Sequence, residues 1–259
     1  HLTKTVADLD TDVDLVDRSD LSKIQFVLKA KENIYSPVDG SLMFAKDEKI
    51  TTESSGAIVN TGTEIGKGIY ALSKDGQLDI SNLPMGTGEA KYYFEEVKTL
   101  DGCVLDEAKQ FFTFRQKDFT TKNYSKDLNV ENKTTHFEFN KTDVTGDKEV
   151  LGAQLTITDE KGNIVDQWVS TEKPHSIEGL VVGETYTLSE TVTAKDYVKA
   201  SDIRFTVKNS SELETVTMKD KQVSFTKTDV TGEKEVEGAT ITVKEKETGK
   251  VIDEWTSTK

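Results

Sequence analysis

The chain has 259 residues, and at about 150 residues per domain this length suggests two domains with a remainder. Its 33 Lys and Arg against 47 Asp and Glu give a net charge of −14, which disfavours partners that need surplus cations, namely nucleic acid and anionic membranes. No apolar run approaches the roughly 18 residues of a membrane span, so membrane insertion is not expected either.

Short runs of alternating polar and apolar residues recur along the chain, whereas helical periodicity is sparse. In the first part, such runs surround residues 2–4, 24–26, 92–97 and 128–133. In the middle part we expect seven strands, near residues 136–143, 153–159, 164–170, 174–177, 185–193, 203–208 and 214–220. This pattern predicts an all-β fold of β-sandwiches.

An internal repeat indicates the domain organisation. The segment FNKTDVTGDKEV at residues 139–150 returns 86 positions later as FTKTDVTGEKEV at 225–236. We therefore expect a diverged, longer module over residues 1–133, a complete module over 134–221 and the first part of a further copy over 222–259. The linkers are short, which predicts a linear array in which neighbouring modules of the same polypeptide tumble little independently.

Polar side chains continue apolar rows on three strands of each of the first two modules. Since alternate residues of a strand share a face, Lys4, Glu96 and Asn132 are expected to point inward in the first module. Lys141, Glu190 and Asp220 are expected to do the same in the second module: these are the side chains that follow Phe139, Leu188 and Met218 in their rows.

Inward-facing ionisable groups of this kind have a specific chemistry open to them. Burial lowers the pKa of a Lys and raises that of a Glu, so a neutral amine can lie beside a protonated acid. The amine is a nucleophile, the side-chain carbonyl of Asp or Asn is an electrophile, and the Glu can move the proton. The product is an amide between side chains, with release of water from Asp or ammonia from Asn. No cofactor is needed.

The further copy has a counterpart of the lysine only. Val223 and Phe225 precede Lys227 in an apolar row, so an inward side chain is expected there too. Nothing in residues 222–259 corresponds to Glu190 or Asp220, and Lys227 is therefore predicted to stay unpaired and unreacted.

The opening F-x-K-T-D-V-T-G-x-K-E-V-x-G-A, the segment Tyr-Thr-Leu-Ser-Glu-Thr and the closing Val-Thr-Met-Lys-Asp-Lys resemble the Cna B-type, or SpaA-like, modules of Gram-positive surface adhesins and pilins. The resemblance implies tandem transthyretin-like, immunoglobulin-like sandwiches with isopeptide bonds assisted by a buried acid. Carried over to this sequence, it implies a bond from Lys141 to Asp220 with Glu190 as the acid. In the first module it implies a bond from Lys4 to Asn132 with Glu96 as the acid.

Two alternatives stay open in the first module. Lys23 competes with Lys4, because a long acidic stretch separates Lys4 from the next predicted strand. Glu95 competes with Glu96, because it belongs to the other row of its strand.

Other polar features have simpler interpretations. The acidic run from Asp8 to Asp17 lacks the Gly and Glu positions of an EF-hand and is interpreted as a solvated loop. The three histidines have no ligands at zinc spacing, so no metal site is predicted. The single cysteine, Cys103, excludes an intramolecular disulfide and is interpreted as a half-buried structural thiol. No catalytic motif of a known enzyme class is present, and the only chemistry expected is the autocatalytic amide.

The resemblance and the repeat favour a non-enzymatic structural role. We expect a stalk segment of an extracellular protein, anchored to the cell wall through regions outside this chain. The alternative is an adhesin module that binds a host protein or glycan through the first domain. Because the first module breaks the repeat, such a site is expected in residues 33–66 and 99–126.

Overall fold

The structure is a computed structural model in which residues 1–116, 123–146 and 148–258 are described, and strands dominate it. The sequence also predicts a turn at Thr145-Gly146-Asp147, and this turn and the predicted ligand region at 99–126 each lie partly outside these residues. No helix among the described residues is long and apolar enough to cross a membrane.

The first module is a sandwich of a four-stranded and a five-stranded sheet, in the orders β12-β1-β9-β6 and β11-β10-β3-β8-β7. The strands and the two short helices have these bounds: β1 Leu2–Val6, β2 Val13–Asp14, a 3₁₀ turn Leu21–Lys23, β3 Gln25–Ala30, β4 Ile34–Tyr35, β5 Leu42–Phe44, α1 Thr52–Ser55, β6 Ile58–Thr61, β7 Thr63–Gly66, β8 Ile69–Ala71, β9 Gln77–Ser81, β10 Glu89–Lys98, β11 Gln110–Arg115 and β12 Leu128–Asn132. β4 and β5 form a separate hairpin.

The second module is also a two-sheet sandwich. Its strands are β13 His136–Asp143, β14 Gln154–Thr158, β15 Ile164–Val169, β16 His175–Glu178, β17 Thr185–Val192, β18 Tyr197–Val198, β19 Ile203–Thr206 and β20 Leu213–Gln222. The sheet orders are β18-β20-β13-β16-β2 and β15-β14-β17-β19. All seven predicted strands are present with ends shifted by a few residues at most, because period-2 alternation marks strands that bury one face.

One sheet of the second module includes a strand from the first. β2 pairs in parallel with β16, placing Val13 beside Ile177 and Asp14 beside Glu178. The prediction of a solvated loop for this acidic stretch is therefore wrong in part. The aspartates are exposed, but the backbone between them extends the neighbouring sheet.

Each sandwich closes over its own apolar core. In the first module Phe26, Tyr92 and Phe94 are among the buried side chains, and in the second Phe137, Phe139 and Leu188 are. The first and last strands of each module lie side by side and parallel, β1 with β12 and β13 with β20. This pairing brings residues that are far apart in sequence to the same position in the core.

The last part of the chain forms a two-stranded sheet, β21 Thr240–Lys244 with β22 Val251–Thr256. Phe225 packs against Trp255 but remains 59% exposed, whereas its repeat counterpart Phe139 is 2% exposed. Residues 223–228 contribute one isolated bridge, Thr228 to Glu235, instead of the strand that the repeat predicts.

Candidate functional site: two buried lysine, glutamate and Asx clusters

The first cluster joins three side chains from two facing sheets. Lys4 lies on β1, Asn132 on the adjacent β12, and Glu96 on β10 of the opposite sheet; they are 1%, 1% and 4% exposed. The Lys4 side-chain nitrogen Nζ lies 3.3 Å from Glu96 Oε2, and Asn132 Nδ2 donates to Glu96 Oε1 at 2.6 Å. One carboxyl group thus contacts both the amine and the amide nitrogen.

The second cluster repeats this arrangement with Asp in place of Asn. Lys141 on β13 contacts Asp220 on the adjacent β20, and Glu190 reaches in from β17 of the facing sheet. Lys141 Nζ lies 3.3 Å from Glu190 Oε1. These side chains are 2%, 0% and 0% exposed, so each cluster is closed to solvent.

The strand registers make the two clusters equivalent. Lys4 is paired with Val130, two residues before Asn132, and Lys141 is paired with Met218, two residues before Asp220. In both cases the Asx side chain therefore lies one inward position beyond the residue opposite the lysine. The row predictions made from alternation put these side chains on the same face, and the parallel pairing puts them within reach.

Burial controls the electrostatics of both clusters. In the first, desolvation lowers the pKa of Lys4 and raises that of Glu96, although their mutual attraction opposes both shifts. In the second, desolvation raises the pKa of Asp220 against the opposing effect of Lys141. The shifts of Lys4 and Glu96 favour the neutral amine and the neutral acid, the forms that amide formation requires.

Several buried polar atoms in the clusters have no hydrogen-bond partner among the described residues. They are Asn132 Oδ1 and Asp220 Oδ2; Glu190 Oε1 also receives no hydrogen bond, but it lies in ion-pair contact with Lys141 Nζ. A buried polar atom left without a partner costs free energy. Both electrophilic side chains thus hold an oxygen whose hydrogen-bonding capacity is unused.

Lys23 and Glu95, the two alternative residues of the first module, lie outside the Lys4 cluster. The Lys23 side chain is 54% exposed, 4.0 Å from Asp17. Glu95 points away from the core and pairs with Lys29 at 2.7 Å. Neither touches the Lys4 cluster, so Glu96 is the acid that contacts both Lys4 and Asn132.

Lys227 does not face inward as its row predicts. It is exposed and forms no ion pair with a described residue, because the segment before it is not a strand.

Backbone donors complete both clusters and were not anticipated from the sequence. The N–H of Asp106 donates to Glu96 Oε2 at 3.2 Å, and the N–H of Ala200 donates to Glu190 Oε2 at 2.9 Å. Each donor lies ten residues after its acid, a shared spacing that only an alignment of the two modules would reveal. Thr99 is a further addition, since its Oγ1 lies 2.5 Å from Asn132 Nδ2.

Cys103 and a group of three carboxylates lie at the junction of the modules. Cys103 is 1% exposed rather than half-buried, and burial raises the pKa of its thiol to about 11, which keeps it protonated. Carboxylate oxygens of Asp8, Asp14 and Glu178 lie within 4.8 Å of one another. The guanidinium of Arg18 contacts all three carboxylates and supplies their positive charge.

The chain resembles several solved structures at low identity. The Bacillus anthracis TIE protein is 21% identical over 99% of this chain and 41% of its own, with a TM-score of 0.41. The chain therefore spans about two fifths of that protein. A C-terminal fragment of the pilus adhesin SpaC from Lactobacillus rhamnosus GG is 14% identical over 86% of this chain and 97% of its own, with a TM-score of 0.41.

The shaft pilin SpaA from the same organism is 15% identical over 86% of this chain and 97% of its own, with a TM-score of 0.32. No curated protein sequence matches the chain. The family model described as SpaA, prealbumin-like fold domain, matches residues 11–128 and 135–222, well over half of the sequence. The chain therefore belongs to the SpaA prealbumin-like domain family and carries two such domains in tandem.

Proposed function

We propose that this chain is a stalk segment of a bacterial surface protein, in which each complete module closes a covalent amide between its first and last strands. The observation that carries the proposal is that a lysine, a glutamate and an Asx side chain are buried together in both modules, on strands with the same register. The bonds would join Lys4 to Asn132 and Lys141 to Asp220.

In the first module the geometry supports a proton shuttle. Neutral Lys4 Nζ attacks the side-chain carbonyl carbon of Asn132 and forms the C–N bond. Glu96 accepts a proton from Nζ through Oε2 and delivers a proton to Nδ2 through Oε1, so that nitrogen leaves as ammonia. The contacts of 3.3 and 2.6 Å, through which one carboxyl group reaches both nitrogens, support this transfer.

In the second module the leaving group is water. Lys141 Nζ attacks the carboxyl carbon of Asp220, whose raised pKa favours the protonated acid that can lose hydroxide as water. Glu190 lies 3.3 Å from the attacking nitrogen and carries the proton to the departing oxygen. The fixed, dry contact replaces the high reactant concentration that amines and acids need in water.

The bonds would also define how the modules carry tension. In the second module, force enters at the start of β13, crosses at Lys141 to Asp220 and leaves at the end of β20. Residues 142–219 then lie outside the loaded path. This function suits a surface stalk, and pilus adhesins and shaft pilins are among the proteins that the chain resembles. We place the protein outside the cell, anchored to the wall through regions beyond this chain.

Isosteric replacement of the acids tests the proposal. Glu96→Gln should add the mass of one ammonia to the folded protein, and Glu190→Gln should add that of one water, after correction for the substitution itself. Glu95→Gln is the matched control, since Glu95 immediately precedes Glu96 on the same strand but faces Lys29. If Glu96→Gln and Glu190→Gln still formed their amides, the proposed role of the two acids would be refuted.

A second candidate function is binding of a host protein or glycan through the first module. It is supported by an open cavity of about 360 Å³ lined by Lys31, Lys46, Tyr93, Lys109 and Phe111, among others. The ring of Phe111 is exposed, with Lys31 Nζ 4.7 Å from its centroid. Loss of cell or glycan binding in Phe111→Ser, with both amides intact, would support this candidate; unchanged binding would exclude this cavity.

A further inference from the structure

We propose that the two modules are held as one rigid body by a joint in which residues 9–18 of the first module dock on the edge of the second, with Arg18 as the positioning residue. The proposal does not depend on the amides, because no atom of the two lysine clusters takes part in the joint. Residues 9–18 dock on the edge of β16 that is not paired with β13.

The first element of the joint is strand addition. β2 lies parallel to β16, and the N–H of Leu15 donates to the carbonyl of Glu178 at 3.1 Å. Asp12 and Ser176 exchange hydrogen bonds, since the N–H of Asp12 donates to Ser176 Oγ at 2.9 Å and the N–H of Ser176 donates to Asp12 Oδ2 at 2.7 Å. An edge that would otherwise face solvent is therefore paired within the chain.

The second element is a buried carboxylate of the second module whose counter-ion lies in the first module. Glu178 of the second module is 0% exposed. Its carboxylate receives Arg18 Nη2 at 3.1 Å and the N–H of Leu9 at 3.2 Å, both from the first module, and Thr134 Oγ1 at 2.8 Å from the connection. Without Arg18 this carboxylate would be buried without a cation, which is strongly unfavourable.

The third element is direct backbone packing. Gly102 of the first module has φ +81°, and a Cβ there would lie 2.4 Å from the carbonyl oxygen of Gly179, itself at φ +92°. A Cβ on Gly179 would in turn lie 2.7 Å from Val16 Cγ2 of the first module, so the close packing of the two modules leaves no room for a side chain at either glycine. Beside it, Asn209 Oδ1 accepts from the N–H of Leu105 at 2.9 Å. Four separate segments of the two modules therefore meet at one place.

The sequence restricts this joint to the first junction. The first module inserts an acidic stretch between β1 and β3, whereas the second module connects β13 to β14 through a shorter turn without one. The inserted residues are the ones that supply β2 and Arg18. The inserted residues thus serve to fix the second module against the first.

Amide hydrogen exchange of the full chain tests the role of Arg18. The amides of Leu9 and Leu15 report the joint directly, because both donate to Glu178. Arg18→Ala should speed their exchange by at least about tenfold, the effect of losing roughly 1.4 kcal/mol of local stability. Exchange of core amides of β13 and β17 should stay slow, which shows that the modules remain folded.

Arg115→Ala is the matched control, because Arg115 pairs with Glu89 on an exposed surface of the first module. It should leave the Leu9 and Leu15 amides unchanged. Equal exchange of these amides in wild type and Arg18→Ala, or free exchange already in wild type, would overturn the proposal.

Residual dipolar couplings test the rigidity itself, through the glycine contact. In the wild type, couplings from both modules should fit one alignment tensor. Gly102→Ala should separate them into two tensors. Gly88→Ala should not, since Gly88 has a similar φ of +87° but no atom within 4 Å of its Cβ position. Two tensors in the wild type, or one in Gly102→Ala, would contradict a joint built on this contact.

Discussion

Mechanical unfolding of the second module distinguishes a covalent bridge from a hydrogen-bonded one. The perturbation is Glu190→Gln, which keeps the shape of the side chain but removes its ability to carry a proton. Lys141 and Asp220 are 79 positions apart. We expect the wild-type amide to keep the intervening chain out of the loaded path, and the variant to expose it.

The size of the effect follows from chain geometry. At about 3.3–3.6 Å per extended residue, the 79 positions span roughly 26–28 nm. In the folded module their strands are adjacent, so almost all of this length is hidden. The variant should therefore show an unfolding step of about this size, while the wild type should show no step from the second module beyond the few residues outside the bond.

Single-molecule force spectroscopy on the full chain measures these steps. Glu184→Gln is the control, because Glu184 is an exposed glutamate of the same module and should leave the trace of the wild type unchanged. A step of roughly 26–28 nm in the wild type would show that no covalent shortcut exists and would refute the load path.

Four further outcomes are expected. By the loop-closure estimate for crosslinks, Glu190→Gln should lose about 4–5 kcal/mol of stability. This loss should lower the calorimetric melting temperature of the second module by roughly 16–40 °C, and a drop of only a few degrees would contradict the estimate. Asp220→Asn should still react, and because loss of ammonia from Asn and loss of water from Asp give the same amide, its intact mass should equal that of the wild type. Amides of residues 223–258 should exchange faster than those of the second module, since Phe225 is 59% exposed where Phe139 is 2% exposed; uniform protection would argue against an open sandwich. With a net charge of −14 the protein should not bind DNA or anionic vesicles at moderate salt, and salt-sensitive submicromolar binding in a titration would contradict this.

Alternation of polar and apolar residues was sufficient to predict which side chains of the lysine clusters face inward. In β13 and β17 the inward rows end in Lys141 and Glu190, and both are buried where parity puts them. Parity is reliable here because a shift of one residue would expose the whole apolar row. Parity does not predict how close the rows of different strands lie to one another. The distance between Lys141 and Asp220 depends on the parallel pairing of β13 with β20.

The joint between the modules could not be predicted in the same way. β2 has only two residues and no alternation, and its partner lies in another module. Glu178 follows the buried Ile177, so parity assigns it to the outer face of its sheet. It is buried because the first module covers that face, and Cys103 lies in the same region. Features formed by contact between modules leave little trace in the local pattern of either one.

The intact mass of the wild-type chain tests the central claim most directly. With amides from Lys4 to Asn132 and from Lys141 to Asp220, the mass should fall below that of the sequence by one ammonia plus one water. Protease digestion should then yield two branched peptides that contain these pairs. A mass equal to that of the unmodified sequence would contradict both bonds and, with them, the proposed stalk mechanism.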